Sequence, residues 1–118
     1  MNHSIQYTEL HTPDTAAATT FYTELFGWQP KVSETPVGPY TEISNGDGPI
    51  GGIFSRPEGG EPHWLIYVNT DDVESSVAHA RKLGASILQD KQEVPEMGWY
   101  AILEDPQGAV FALWQSRE

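Results

Sequence analysis

The sequence predicts an α+β fold of two βαβββ modules whose sheets pair around a central cavity. The main observation is internal repetition: Asp14 and Asp72 lie 58 residues apart, and Gly27 and Gly84 lie 57 residues apart. The order of apolar and turn-forming segments around these residues is also similar in both halves. Repetition at a fixed spacing is typical of a duplicated unit, and two copies are too few for a solenoid. We therefore expect residues 1–118 to form a single domain.

The first module is expected at residues 5–55. Pro13 and Asp14 offer a turn and a helix N-cap, and Gly27 ends the helix that follows. Asn45-Gly46 is a strong hairpin signal between two of the later strands. Strands are expected at residues 5–10, 28–33, 39–44 and 50–54.

The second module is expected at residues 63–115, after a linker at residues 56–62 that is rich in Pro and Gly. Asp71 as N-cap and Glu74 three residues later predict a capping box at the start of its helix. Gly84 ends this helix. The turn at residues 105–108 joins the last two strands. Strands are expected at residues 64–68, 86–89, 99–104 and 109–114.

Periodicity predicts which side chains are buried. Steps of three and four residues define one apolar face on each helix. The faces are predicted to consist of Ala18, Phe21, Tyr22 and Leu25 in the first helix, and of Val73, Val77, Ala80 and Leu83 or Gly84 in the second. Phe26 and Phe111 are also expected in the core, whereas His3 and His79 are expected to be exposed.

Composition excludes several classes of function. The chain has 17 acidic and 6 basic residues, a net charge of −11, so it has no basic stripe for nucleic acid. It has no cysteine and no apolar run of membrane-spanning length, so we expect a cytoplasmic protein without thiolate chemistry. The acidity is typical of a soluble protein, and it would also attract a cationic ligand.

At these motifs the chain resembles the vicinal oxygen chelate superfamily, which includes glyoxalase I, the extradiol dioxygenases and the bleomycin-resistance proteins. The resemblance covers residues 5–115 and is greatest to the glyoxalase-like subgroup. It rests on the order of many short motifs rather than on any one of them. They are Glu9-Leu10, Thr12, Asp14, Phe21-Tyr22, Leu25-Phe26-Gly27-Trp28, Trp64, Tyr67, Asp71-Asp72-Val73, Leu83-Gly84, Asp105-Pro106-Gln107-Gly108-Ala109 and Phe111.

The resemblance also implies where metal ligands would lie. Metal-dependent members use His and Glu at four inward-facing strand positions, where the ion binds vicinal oxygens of the substrate. The matching positions are Tyr7, Ser55 or Gly52, Leu65 or Trp64, and Ala112. None of these side chains can hold a metal in that way, so we expect no metal, no cofactor, and neither glyoxalase I nor ring-cleaving dioxygenase activity.

Tyr7 and Glu9 are the main candidate functional residues. Strand alternation places them on one face, which in the resembled fold lines the cavity. Glu9 could act as a base or pair with a cationic group, or it could be a structural carboxylate. The other expected ligand-binding residues are Leu65, Tyr67, Ala112 and Trp114. His11 and His63 are expected to be exposed at strand ends, with an irregular metal or acid–base site near Glu9 as the alternative.

Three functions remain open. The first is a metal-independent binding protein with an aromatic cavity for an organic ligand, including a cationic one. The alternative is a metal-free lyase or isomerase that acts on a carbonyl compound with Glu9 and Tyr7 as base and acid. The third is an interaction module without chemistry. By the resemblance we expect a homodimer, and modules of this superfamily can also exchange between chains.

Overall fold

A computed structural model describes residues 3–35, 38–55 and 61–117. The two helices and eight strands follow the order βαβββ twice, which confirms the α+β fold and its two modules. Residues 36–37, which lie between the strands predicted at residues 28–33 and 39–44, and residues 56–60 of the predicted linker lie outside the described residues. The elements are β1 (Ile5–His11), α1 (Thr15–Phe26), β2 (Gln29–Thr35), β3 (Gly38–Ser44), β4 (Pro49–Phe54), β5 (His63–Asn69), α2 (Val73–Lys82), β6 (Ser86–Val94), β7 (Gly98–Glu104) and β8 (Val110–Ser116).

The chain divides into two compact units. The amino-terminal unit consists of residues 7–65, and the carboxy-terminal unit consists of residues 66–117 together with residues 3–6. The strand order is β2-β3-β4-β1 in the first and β5-β8-β7-β6 in the second. In each unit the first and last strands of the module pair in parallel, and the other neighbours are antiparallel. The duplication read from the sequence is therefore also a duplication of topology, while the single-domain expectation stays a prediction.

Helix α1 begins and ends where the sequence predicts. The Asp14 side chain accepts a hydrogen bond from the Ala17 backbone N–H at 3.0 Å, which satisfies a free donor of the first turn. Gly27 follows the helix with a φ of +72°, a conformation that glycine adopts without steric cost. The helix lies against a core of Leu10, Ile43 and Ile53, which Ala18 and Tyr22 contact.

The outer part of the α1 apolar face is exposed, so the prediction that Phe21, Leu25 and Phe26 are buried is wrong. Phe21, Leu25 and Phe26 are 58%, 57% and 56% exposed, and no residue of α1 is fully buried. The Tyr22 ring packs against the core of the sheet and lies edge-on to the Phe21 ring, with ring centroids 4.9 Å apart. Helical periodicity correctly identified an apolar stripe. It could not show how much of that stripe the sheet covers, because a 12-residue helix rests on the sheet through only a few side chains.

Helix α2 has a different cap from the predicted one. The N-cap is Asp72, whose side chain accepts from the Ser75 backbone N–H at 3.2 Å, so the capping box from Asp71 to Glu74 is wrong by one residue. Val73 and Val77 are buried as predicted, in a core with Ala101, Leu103 and Leu113. Ala80 and Phe111 also pack against this core. Leu83 is 68% exposed, because the helix ends there and the chain turns away at Gly84, where φ is +104°.

The turn before β8 forms as predicted. The Asp105 carboxylate accepts from the backbone N–H groups of Gln107 and Ala109, and the Gly108 N–H donates to the Asp105 carbonyl. Strand β6 continues to Val94, five residues beyond the predicted end, with two register irregularities against β7. Among the described residues, no helix has both the length and the apolar character needed to cross a membrane.

Candidate ligand-binding site

The candidate site lies on the face of the amino-terminal sheet that is turned away from α1. Leu10, Ile43 and Ile53 face the helix, so their neighbours along each strand face the opposite side. The register aligns Glu9 with Gly52 across β1 and β4, and Gly52 with Glu42 across β4 and β3. Two carboxylate side chains therefore lie on either side of a glycine on this face.

Four polar side chains on this face form one hydrogen-bonded network. The hydroxyl groups of Tyr7 and Tyr40 are hydrogen-bonded to each other. Tyr40 is also hydrogen-bonded to Glu9. His11 Nε2 lies 2.6 Å from Glu9 Oε1. We call Tyr7, Tyr40, Glu9 and His11 the polar network.

Both phenols of the polar network stay protonated at neutral pH. Burial raises the pKa of Tyr7 to about 12. The hydrogen bond with Tyr40 lowers this pKa, whereas the negative charges of Glu9 and Glu42 raise it. Burial also raises the pKa of Tyr40, again with a contribution from the Glu9 charge. A neutral phenol next to a carboxylate is a hydrogen-bond donor rather than a base.

The carboxylate of Glu9 determines the direction of the hydrogen bonds that it receives. An ionised carboxylate only accepts, so Tyr40 donates to Glu9 in the hydrogen bond between them. In the bond between the Tyr7 and Tyr40 hydroxyl groups, either oxygen can be the donor. His11 Nε2–H is the other donor to Glu9, which is 12% exposed, whereas His11 is 4% exposed.

The position of Tyr40 depends on the absence of a side chain at position 52. A β-carbon on Gly52 would lie 1.9 Å from the Tyr40 hydroxyl oxygen and 2.2 Å from its Cζ atom. Heavy atoms that are not bonded cannot approach this closely. Gly52 thus provides the space in which the end of the Tyr40 ring lies.

Aromatic rings surround one end of the polar network. The Phe54 ring lies 5.9 Å from the Tyr40 ring and 6.3 Å from the His11 ring, between centroids. The His63 ring lies 5.2 Å from the His11 ring, and His63 Nδ1 is 2.8 Å from the Glu61 carbonyl. The face therefore combines negative charge with ring surfaces, a combination that suits organic cations.

The structure divides the expected site residues between the two units. Tyr7 and Glu9 lie together in the polar network. Leu65 belongs to the same unit, where it is buried and its carbonyl accepts from Thr8 Oγ1 at 3.2 Å. Trp64 packs against Tyr22 of α1, with ring centroids 5.4 Å apart, so alternation places Leu65 on the face of the polar network. The role of Leu65 in ligand binding stays a prediction.

The remaining expected residues lie in the carboxy-terminal unit. Tyr67 of β5 is directly opposite Ala112 of β8, and Asn69 is opposite Trp114. The Tyr67, Ala112 and Trp114 side chains therefore share one face of that sheet. Trp114 lies close to Gly98, where a β-carbon would be 2.9 Å from its Cζ2 atom. The role of these three residues in ligand binding stays a prediction.

Sequence reasoning missed the place of Tyr40 in the site, considered Gly52 only as a metal position, and misplaced His11. His11 was expected at the surface, but it is 4% exposed and bound to Glu9. The alternation of side chains along β1 indicates the observed position of His11, because residues 7, 9 and 11 share a face. The role of Tyr40 has no such signal, since it depends on the register between β3 and β4.

The residues at the family's metal positions do not fit a divalent metal. By the resemblance these positions hold a protonated phenol at Tyr7, no side chain at Gly52 or a neutral hydroxyl at Ser55, a hydrocarbon side chain at Leu65 or an indole at Trp64, and a methyl group at Ala112. Neutral imidazole and carboxylate groups are what such ions need. Within the described ranges, no group of three His, Asp or Glu side chains is placed to bind a metal ion, and this includes Glu9, His11 and His63.

Two βαβββ modules with this topology define a protein of the vicinal oxygen chelate superfamily. Residues 7–114 match the family model of the glyoxalase-like domain, so the chain belongs to the glyoxalase-like domain family.

Two relatives and one solved structure illustrate the similarity. The chain is 34% identical over 103 residues to "Putative glyoxylase CFP32" of Mycobacterium bovis, covering 86% of this chain and 39% of that protein. It is 32% identical over 124 residues to the anthracycline biosynthesis protein DnrV of Streptomyces peucetius, covering 91% and 45%. The chain thus spans less than half the length of these relatives. The Mn(II)-bound glyoxalase of Novosphingobium aromaticivorans has the same fold, with a TM-score of 0.69, 17% identity, and coverage of 96% and 38%.

Proposed function

We propose that this chain is a metal-independent small-molecule binding protein whose polar network binds an organic ligand with a cationic group. The observation that carries the proposal is the network itself. It places the Glu9 carboxylate beside two phenol rings on the sheet face opposite the helix, with Glu42 nearby. A protonated amine can donate to these carboxylates and lie against the rings at the same time.

The overall charge supports the same ligand class. With a net charge of −11 the protein attracts cations over long range and repels anions such as glutathione adducts. The relatives' names, which refer to a glyoxylase and to anthracycline biosynthesis, agree with an organic small molecule as the ligand.

A thermal-shift screen tests the proposal directly. A ligand that binds only the native state raises the unfolding midpoint through mass action. The panel consists of benzylammonium and larger aromatic amines, their carboxylate analogues, and α-keto compounds. We expect amines to raise the midpoint and the matched carboxylates to leave it unchanged. A panel in which carboxylates stabilise the protein and amines do not would contradict the proposal.

A metal-free lyase or isomerase is the second candidate, and the pairing of Glu9 with His11 favours it. An imidazole held 2.6 Å from a carboxylate is an arrangement that can accept a proton from carbon next to a carbonyl group. Tyr7 would then have to donate to the substrate oxygen. The two candidates are separated by NMR: an enzyme would exchange the α-proton of a bound keto compound with deuterium from the solvent, whereas a binding protein would not.

We also propose that the protein forms a homodimer, an expectation that comes from the family resemblance. Light scattering at micromolar concentration tests it, and a mass corresponding to one chain would contradict it.

A further inference from the structure

Glu42 is a second carboxylate of the candidate site, and it lies in one row with Glu9. The register aligns Glu42, Gly52 and Glu9 across the neighbouring strands β3, β4 and β1, on the sheet face turned away from α1. Because neighbouring strands lie about 4.8 Å apart, the backbones of Glu9 and Glu42 are separated by about 10 Å. The two carboxylates also act on a common neighbour, since the charge of each raises the pKa of Tyr7. Both side chains therefore face the same part of the sheet surface.

The phenol ring of Tyr40 lies between these two carboxylates. A β-carbon on Gly52 would meet the Tyr40 hydroxyl oxygen at 1.9 Å, so the end of this ring lies over Gly52. Gly52 in turn separates Glu42 from Glu9 in the row. The arrangement thus provides a separate position for a cationic group at each carboxylate, one on either side of the ring end.

The charge of Glu42 is not neutralised by a neighbouring side chain. Lys31 of β2 is aligned with Glu42 on the side away from Gly52. Among the residues that the structure describes, however, neither Lys31 nor any other residue forms an ion pair or a hydrogen bond with the half-buried Glu42 carboxylate. The row therefore has negative charge that its own side chains do not balance, in a protein whose net charge is −11.

We propose that the site selects an organic diamine, which binds one ammonium group at Glu9 and the other at Glu42. Glu42 is then the residue that determines specificity for a dication over a monocation. Each ammonium group donates to one carboxylate, and the part of the ligand between them passes over the end of the Tyr40 ring. This inference rests on the proposed function, since it assumes that a cationic ligand binds to the polar network.

Two aromatic probes of nearly equal size test the inference. One is p-xylylenediammonium, which has two ammonium groups, and the other is p-methylbenzylammonium, which has one. We expect the diamine to bind the wild type on the order of 10-fold more tightly, which corresponds to one additional charge-assisted hydrogen bond. Calorimetric titration at one ionic strength measures both affinities, and circular dichroism verifies the fold of each variant.

Three variants test whether the preference for the diamine depends on Glu42. In Glu42→Gln the two probes should bind with nearly equal affinity, because the shape of the side chain is kept while its charge is lost. Glu42→Asp keeps the charge and should retain most of the preference. Glu34→Gln is the matched control, since Glu34 lies on the opposite face of the same sheet and the exchange removes the same charge. It should leave the preference unchanged.

Several outcomes would overturn the inference: equal affinity of the wild type for the two probes, a preference that persists in Glu42→Gln, or a preference that Glu34→Gln removes as well. In each of these cases, binding of p-methylbenzylammonium that is weakened by Glu9→Gln would still support the proposed function. If the wild type binds neither probe, the inference and the proposed cationic ligand are both contradicted.

Discussion

The hydroxyl group of Tyr40 occupies the space in which a side chain at position 52 would begin, since a β-carbon on Gly52 would lie 1.9 Å from it. By the family resemblance, position 52 is one of two candidates for a metal ligand on the fourth strand. In this protein a phenol from the neighbouring strand occupies that space and donates to Glu9. A metal ligand at position 52 and the present position of Tyr40 are therefore mutually exclusive.

Exchange of Gly52 for Ala should destabilise the protein. The added methyl group must displace the Tyr40 ring, and overpacking of this kind costs about 1–3 kcal/mol of unfolding free energy. In a Tyr40→Ala background the same exchange should cost at least ~1 kcal/mol less, because the clash is gone. In Tyr40→Phe the cost should remain, since Cζ would still lie 2.2 Å from the new carbon. Urea unfolding measures the cost of Gly52→Ala in the wild type, in Tyr40→Ala and in Tyr40→Phe. An equal cost in the wild type and in Tyr40→Ala would show that the Tyr40 ring does not occupy the space beside Gly52.

Exchange of Glu9 for Gln should weaken the binding of a cationic ligand. The shape of the side chain is kept while its charge is lost, so affinity should fall by about 1–3 kcal/mol, the worth of a charged hydrogen bond. Calorimetric titration with the best amine of the screen measures the loss. Glu24→Gln, an exposed carboxylate of α1, is the control with the same change of net charge. Unchanged affinity together with a lower melting temperature would show that Glu9 is structural.

The raised pKa of Tyr7 predicts a loss of stability at alkaline pH. Folding favours the neutral phenol, because its pKa is about 12 in the native state and about 10 in an unfolded chain. This contribution is complete below about pH 10 and is lost as the pH rises through about 12. Tyr7→Phe should therefore make the decline of unfolding free energy between pH 10 and 12 less steep. Equal slopes for wild type and Tyr7→Phe would show that Tyr7 titrates normally.

Removal of metal should have no effect. Because the donor set at Tyr7, Gly52, Leu65 and Ala112 does not fit a divalent ion, dialysis against EDTA should leave the melting temperature and the amine affinity unchanged. Elemental analysis of protein purified without a histidine tag provides the second measurement. A stoichiometric transition metal in that sample would contradict the prediction.

Local patterns in the sequence determined much of the fold. The cap at Asp14 and the turn at Asp105 depend on contacts between residues close in sequence, and both are present in the structure. The repeat of 57–58 residues corresponds to two modules with the same order of elements. Alternation also placed Tyr7 and Glu9 on one face, because the pleat of a strand allows no other arrangement.

Only the tertiary structure decided the composition of the candidate site. Tyr40 reaches Glu9 because the register of β3, β4 and β1 brings Tyr40, Gly52 and Glu9 together, and register is set by pairing between distant segments. The exposure of Phe21 and Phe26 likewise depends on how much of α1 the sheet covers. A sequence pattern specifies which side chains share a face, but it does not specify which residues of another strand or helix will lie opposite that face.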